Sequence, residues 1–473
     1  MNAATAIVDT LSGDRAAVVV DGSGISREAL GARAMGLARW LQGEVDPGDR
    51  VVLLAVPGPE LAAALIAAVW VGAVPILAEP DQAPGAWQAR MATVRPRVVL
   101  ADPRLAAAWK VPGAAAALAK LGVAVPPRLQ GVPVLSLPRR ARGSIGAVAR
   151  GPTDEALILF TSGTTSAPKA VVHTHGSLPH FLRHVAGVVE DLPHATYLAE
   201  TPQQIFYALL LGATCHLVRG RGEKRVQRTL ALLEREPIEA WFGSPWTWQT
   251  WLSAGRPVPA GLRTVLLGSA PVTQPFLVRL LAALPDACAV RCIYGLTEIG
   301  PAAVVDAADK VAWRGDGDLV GAPIAGVVAS IDDGEIVLRS PSLAAYGSGR
   351  LEVLRTGDLG ALVDGRLVLR GRKKDMILRR AVNLYPGVLE PLLHGRFDDV
   401  ALVGVYDSER EDERVVLCCV GGGTEDVDEL LGDAAPDHVL CLGALPRAGR
   451  QHKVDKAALV ELARERFGIP GAS

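Results

Sequence analysis

Short runs of β-branched and apolar residues recur along the first third of the chain, and each is followed by a longer stretch rich in alanine and leucine. The runs are AAVVV at 16–20, RVVLLAV at 50–56, VPIL at 74–77 and RVVLA at 97–101. A strand apolar on both faces needs a cover on each side, and the intervening stretches are long enough to be helices. The alternation therefore predicts parallel strands joined by crossover helices. The helix that begins near Ser26 has a hydroxyl N-cap and Glu28 in its first turn, where a negative charge suits the helix dipole. After EALILF at 155–160 the same rhythm resumes with ATCHLV, a helix over 224–235, EAWFGSP, RTVLLGSAP, a helix over 274–284 and AVRCIYG, which reads as a second α/β layer. Residues 102–150 carry many Pro, Ala and Arg with little periodicity and read as surface connections.

The texture changes near residue 316. Short strands with turns at Asp333-Gly334 and Asp364-Gly365 predict a small antiparallel β element, a barrel-like appendage to the large domain. It stops at Gly371-Arg372-Lys373-Lys374-Asp375, beyond which roughly a hundred residues have α+β character. The expected architecture is α/β: a large multi-layer N-terminal domain over 1–372, made of two α/β subdomains and the β element, and a small mobile α+β domain over 373–473. At 473 residues the chain is too long for one ordinary core, which agrees.

Composition removes several functions. With 49 basic against 50 acidic residues the chain has no overall field to gather nucleic acid or acidic lipid. The uncharged run at 61–78, LAAALIAAVWVGAVPILA, approaches the length of a membrane span, but Gly72 and Pro75 interrupt it. It reads as a buried helix, a turn and a short strand, with no span. Six cysteines (Cys215, Cys288, Cys292, Cys418, Cys419 and Cys441) lack zinc-ligand spacing and read as reduced, buried thiols, which fits the cytoplasm. The histidines at 173, 175, 180 and 184 include an i, i+4 pair, yet no carboxylate completes a metal set.

Local chemistry concentrates in Phe160-Thr161-Ser162-Gly163-Thr164-Thr165-Ser166-Ala167-Pro168-Lys169, directly after a buried strand. Hydroxyls from Thr161, Ser162, Thr164 and Thr165, the flexible Gly163 and the charge of Lys169 can wrap phosphate oxygens. The order is not that of a Walker loop. Further along come Gly268-Ser269-Ala270-Pro271, Tyr294-Gly295-Leu296-Thr297-Glu298, Arg355-Thr356-Gly357-Asp358-Leu359, the basic segment at 371–375, Asn383-Leu384-Tyr385-Pro386, and Leu445-Pro446-Arg447 leading to Lys453. In this order, over nearly the whole chain, the motifs resemble those of the adenylate-forming superfamily of acyl-CoA synthetases, luciferases and peptide-synthetase adenylation domains.

The resemblance implies an activity and a role for each position. The chain would join a small organic acid to AMP with loss of pyrophosphate, using ATP and Mg²⁺, and pass the acyl group to CoA or to the thiol of an acyl or peptidyl carrier protein. Tyr294 would lie against adenine with Ser269, Ala270, Pro271 and Gly295 at the base, Asp358 would accept from the ribose hydroxyls, and Arg372 would add charge nearby. Thr297 would hydrogen-bond phosphate and Glu298 would ligate Mg²⁺. Lys453 would offset the charge that builds as a carboxylate meets the α-phosphate, the step whose barrier is largely electrostatic. Lys374 would be the hinge of the small domain.

Three glycines of the family pattern are replaced, by Ser166, Ala170 and Ala381, the last where CoA-using relatives leave room for the pantetheine arm. Ala199 stands where amino-acid-activating relatives carry an aspartate for the substrate ammonium, which favours a different kind of acid, although Glu200 is adjacent. Gln203, Gln204, Phe206, Trp246 and Ser269 are the candidate pocket residues. Two alternatives stand beside thiol transfer. Arg450-Gln451-His452-Lys453 is similar to β-lactone-forming relatives, which pass the acyl group to a non-thiol nucleophile or close it internally. The lost glycines suggest a degenerate nucleotide-binding protein.

Overall fold

In a computed structural model, which describes residues 2–77, 84–110, 125–160, 169–188, 195–200, 204–218, 222–255, 258–259, 261–346, 349–380, 382–448 and 453–470, the early strand runs divide between two sheets. Arg50–Leu54 pairs in parallel with Val74–Ile76 and Val98–Ala101, and this sheet extends to Glu155–Phe160 and Ala170–Thr174 on one side. Ala16–Val20 instead joins Thr214–Leu217 in the other sheet, which continues through Thr196–Ala199, Ala240–Gly243, Thr264–Leu267 and Ala289–Leu296.

Period-two alternation assigns the faces. In Arg50–Leu54, Val51 and Leu53 point into a core shared with Val18, Val20, Tyr197 and Leu217 of the other sheet, whereas Val52 and Leu54 pack outward with Trp87, Met91 and Leu105. The helices Arg27–Leu41 and Pro59–Trp70 contribute to the shared core, so they lie between the sheets. A third cluster, including Trp241, Trp248, Phe276 and Leu280, covers the far face of the second sheet. The succession is helix, sheet, helix, sheet, helix.

That layering explains the uncharged run at 61–78. Helix Pro59–Trp70 is buried from Leu61 to Val69 because sheets flank it on both sides, and it stops at Gly72, whose φ is +77°. Among the described residues no helix is long and apolar enough to cross a membrane. Helix Arg27–Leu41 begins as expected, with the Ser26 hydroxyl accepting from the Ala29 N–H.

Residues 102–150 hold more structure than their composition suggests. Pro103–Ala108 is a short helix capped by Asp102, and Val134–Ser136 is an edge strand of the first sheet. The antiparallel strands after residue 316 continue the second sheet at one end, in the order Ala289–Leu296, Gly300–Asp306, Asp318–Pro323, Arg366–Arg372, Leu354–Val363, Glu335–Arg339, Val328–Asp332.

Beyond the one-turn helix Lys373–Asp375, the strands Asp399–Asp407, Asp412–Val420 and His438–Cys441 form a sheet of their own. Leu402, Val415, Leu417 and Cys419 pack on one face with Leu393 and Val427, and Ala401, Val403, Val416 and Cys418 on the other with Leu459 and Ala463. Cys418 and Cys419 therefore face opposite cores. The cysteine expectation needs one correction, since Cys441 is exposed while the other five are buried.

Candidate active site

The strands Glu155–Phe160 and Ala170–Thr174 are antiparallel neighbours, and the pair Phe160 and Ala170 closes the ladder. Thr161, Ser162, Gly163, Thr164 and Thr165 lie outside the described residues, as do Gln203, Ala381 and 450–452. Lys169, at the foot of the loop, is exposed.

Tyr294, Asp358 and Arg372 come together although 64 and 14 residues separate the first and last from the aspartate. Asp358 is 2% exposed, on a strand whose partner across the ladder is Arg372. The Tyr294 hydroxyl donates to Asp358 Oδ2 at 2.8 Å and Arg372 Nε donates to Oδ1 at 2.6 Å. Burial, then the Asp358 charge, pushes the Tyr294 phenol far above its ordinary range, so it stays a donor. Burial works against the Arg372 charge, and Asp358 outweighs it, raising its pKa. A carboxylate has about four lone-pair sites, so Asp358 keeps capacity for two hydroxyls after these bonds. The resemblance implies the adenine face for Tyr294; the structure shows its buried hydroxyl donating to Asp358, a contact that only the fold reveals.

Asp358 is itself held by its strand. Thr356 Oγ1 accepts from the Asp358 N–H at 3.0 Å and donates to the Ile336 carbonyl, and Gly357, at φ +72°, lies where the strand shifts register against Glu335–Arg339. The buried Glu335 accepts from the Gly357 N–H at 2.8 Å, from Arg355 Nε at 3.1 Å and from Lys373 Nζ at 2.8 Å. Burial would raise its pKa, and these donors bring it below the ordinary value.

Thr297 and Glu298 occupy the turn between Ala289–Leu296 and Gly300–Asp306, with Glu298 buried. Gly295 fits there for a steric reason: a Cβ would lie 2.4 Å from the Gly300 carbonyl oxygen. Ser269, two residues beyond the strand Thr264–Leu267, has a left-handed conformation, φ +69°, and is exposed.

Lys453 is exposed by area, although the protein screens part of its ammonium from solvent. Desolvation first, then repulsion by Arg372 and Lys374, lowers it to about 8, while Asp358 works the other way. The tail thus delivers a lysine to the neighbourhood of the Tyr294, Asp358 and Arg372 cluster. Helix Pro386–Leu393 packs on the strand Arg366–Arg372, where Gly387 lies so near that a Cβ would be 3.0 Å from Gly371 Cα.

The pocket candidates are less convergent. Phe206 is buried in the core between the sheets and Gln204 Oε1 accepts from the Glu200 N–H at 2.6 Å, while Trp246 is half-buried against the outer cluster. Glu200, next to the substituted Ala199, accepts from Trp241 Nε1 at 3.3 Å and from the Ser244 N–H at 3.2 Å. Among the described residues no group of three or more His, Cys, Asp or Glu could hold a metal alone. Glu298 and the Thr297 hydroxyl are hard oxygen donors, a set that suits Mg²⁺ arriving with phosphate oxygens and water.

Comparison with known proteins identifies the family. The family model described as AMP-binding enzyme matches residues 8–345. A feruloyl-CoA synthase of Amycolatopsis sp is 30% identical over 362 residues, covering 67% of this chain and 71% of the relative. An olefin β-lactone synthetase of Stenotrophomonas maltophilia is 28% identical over 485 residues, covering 89% and 85%. The crystal structure of ATP-bound MatB from Rhodopseudomonas palustris superposes with a TM-score of 0.80 at 21% identity, over 99% of this chain and 100% of that one, a likeness of fold. With this match over most of its length, the chain belongs to the family of AMP-binding enzymes.

Proposed function

We propose that the protein activates a carboxylic acid as its acyl adenylate. An oxygen of the carboxylate attacks the α-phosphorus of ATP, the new O–P bond forms as the bond to the β-phosphate oxygen breaks, and pyrophosphate leaves. No general base is required, because the acid is already ionised. The obstacle is repulsion between anions, which fixed positive groups reduce. In this reading the 161–165 loop and Lys169 hold the triphosphate and Asp358 takes the ribose hydroxyls, as Tyr294 and Arg372 fix its orientation. Ser269, Ala270, Pro271 and Gly295 border the base. Mg²⁺ held by Glu298, beside Thr297, would neutralise phosphate charge when bound. Lys453 meets the carboxylate and the α-phosphate.

The observation that carries this reading is the buried Asp358 carboxylate held by Tyr294 and Arg372, with the Lys453 ammonium near enough to feel both charges. The acyl group then passes to the thiol of CoA or a carrier protein, with the domain over 373–473 turning about Lys374. A second reading, transfer to another nucleophile or internal closure, draws on the similarity to the olefin β-lactone synthetase over 89% of the chain. Cysteine usage points to the cytoplasm.

Pyrophosphate exchange into ATP across fatty, aryl, amino and β-hydroxy acids tests the first step. Exchange that depends on one class of acid is expected, and exchange with none of them overturns the reading. Mass spectrometry of products with and without CoA then separates thioester from lactone.

A further inference from the structure

His173 is wholly buried in the strand that leaves the phosphate loop, and the reaction as described does not use it. Its Nε2 lies 3.0 Å from the Thr297 carbonyl oxygen. A carbonyl only accepts, so the ring must carry its proton on Nε2. Burial lowers its pKa to about 4, and it stays neutral near pH 7, a hydrogen-bond donor and not an acid. The ring meets Phe181 edge-on at 4.6 Å, and Phe181 is so close to Gly300 that a Cβ there would approach it to 2.9 Å.

The Thr297 carbonyl is one of three in succession that are held from outside the turn. Glu298 O accepts from the Ala344 N–H at 2.8 Å and Ile299 O from Ser342 Oγ at 3.0 Å. Both of those donors come from one segment, 342–344. His173 alone of the three comes from the strand three residues beyond Ala170, where the phosphate loop closes. This hydrogen bond ties the strand Ala170–Thr174 to the Thr297–Glu298 turn, beside the backbone pairing of Val172 with Ala345. A leucine would fill the same volume in the core without this link.

We propose that His173 is a positioning residue which holds the Thr297–Glu298 turn against the strand Ala170–Thr174, and through it sets the affinity for the metal–triphosphate pair. This rests on Glu298 as the metal ligand. The donor is to the carbonyl of the residue beside that ligand, so its loss displaces the carboxylate without removing it.

The test uses the full chain with Mn²⁺ as probe, its binding followed by electron paramagnetic resonance in the presence of a non-hydrolysable ATP analogue. His173→Leu is expected to weaken Mn²⁺ binding about tenfold, by comparison with other groups that orient metal ligands. The acid KM in pyrophosphate exchange is expected to stay unchanged. His173→Gln, whose amide places a donor near the same point, is expected to recover most of the loss. Should the leucine variant fail to fold, His173→Asn, whose amide stops short of the carbonyl, takes its place with the same expected loss. A folded Leu or Asn variant that binds Mn²⁺ like the parent, or a Gln variant as impaired as Leu, overturns the proposal. Glu298→Gln is measured alongside: unchanged Mn²⁺ binding there shows that the metal assignment failed, and the proposal falls with it.

Discussion

If Lys453 acts on the α-phosphate as proposed, its ammonium, lowered from 10.5 to about 8 by desolvation and by Arg372 and Lys374, should make adenylation sensitive to alkali at an unusual pH for a lysine. If the charged form is the one that works, about nine-tenths of the free enzyme is competent at pH 7, about half at pH 8 and about one-tenth at pH 9. The kcat/KM for ATP, which reports the free enzyme, should thus fall about tenfold from pH 7 to pH 9. Triphosphate bound beside the ammonium would add negative charge and raise its pKa, so kcat should hold to a higher pH than kcat/KM. Pyrophosphate release under initial-rate conditions gives both profiles. Lys453→Arg supplies the control: a guanidinium does not titrate below pH 12, so whatever its rate, its alkaline limb should be flat. A parent profile that is flat to pH 10, or an arginine variant that falls with the parent's midpoint, would refute the role given to this charge.

Other substitutions separate the parts of the site. Asp358→Asn removes the charge that pairs with Arg372, and the KM for ATP should rise about 10- to 100-fold, as for the loss of a charged hydrogen bond, with the Mg²⁺ requirement unchanged. Glu298→Gln should show the reverse pattern in a Mg²⁺ titration of exchange, and a variant with the parent's Mg²⁺ dependence removes it from the metal site. Gly321→Ala tests the fold: with φ at +99° and the Val304 carbonyl oxygen 1.9 Å from a built Cβ, it should cost about 3 kcal/mol by combined strain and overpacking. A melting temperature within a degree of the parent's would contradict that.

Much of the framework is visible in local pattern. The runs at 16–20, 50–54, 74–76 and 98–101 are strands because β-branched residues repeat there, and Ser26 caps its helix because a hydroxyl precedes an apolar stretch. Which strands are neighbours is another matter. Ala16–Val20 pairs with Thr214–Leu217 nearly two hundred residues away, a choice made by the packing of helices between two sheets and not by either strand's composition. Val134–Ser136 escaped notice because three residues carry no period and an edge strand needs only one partner.

The site divides similarly. Tyr294, Asp358, Arg372 and Lys453 stand out because their motifs occur in order, but the hydrogen bond from Tyr294 to Asp358 and the approach of Lys453 depend on pairing across long stretches of chain. His173 drew attention only as one of four nearby histidines. Its partner lies 124 residues on, and no spacing rule connects them.

The central claim is attack by a carboxylate oxygen on the α-phosphorus. The direct measurement takes the acid that supports exchange, labelled with oxygen-18 in both carboxyl oxygens, and follows the label by mass spectrometry after acyl transfer. Cleavage of the acyl C–O bond should leave one heavy oxygen in AMP and none in pyrophosphate. AMP without label, or label in pyrophosphate or inorganic phosphate, would contradict the account.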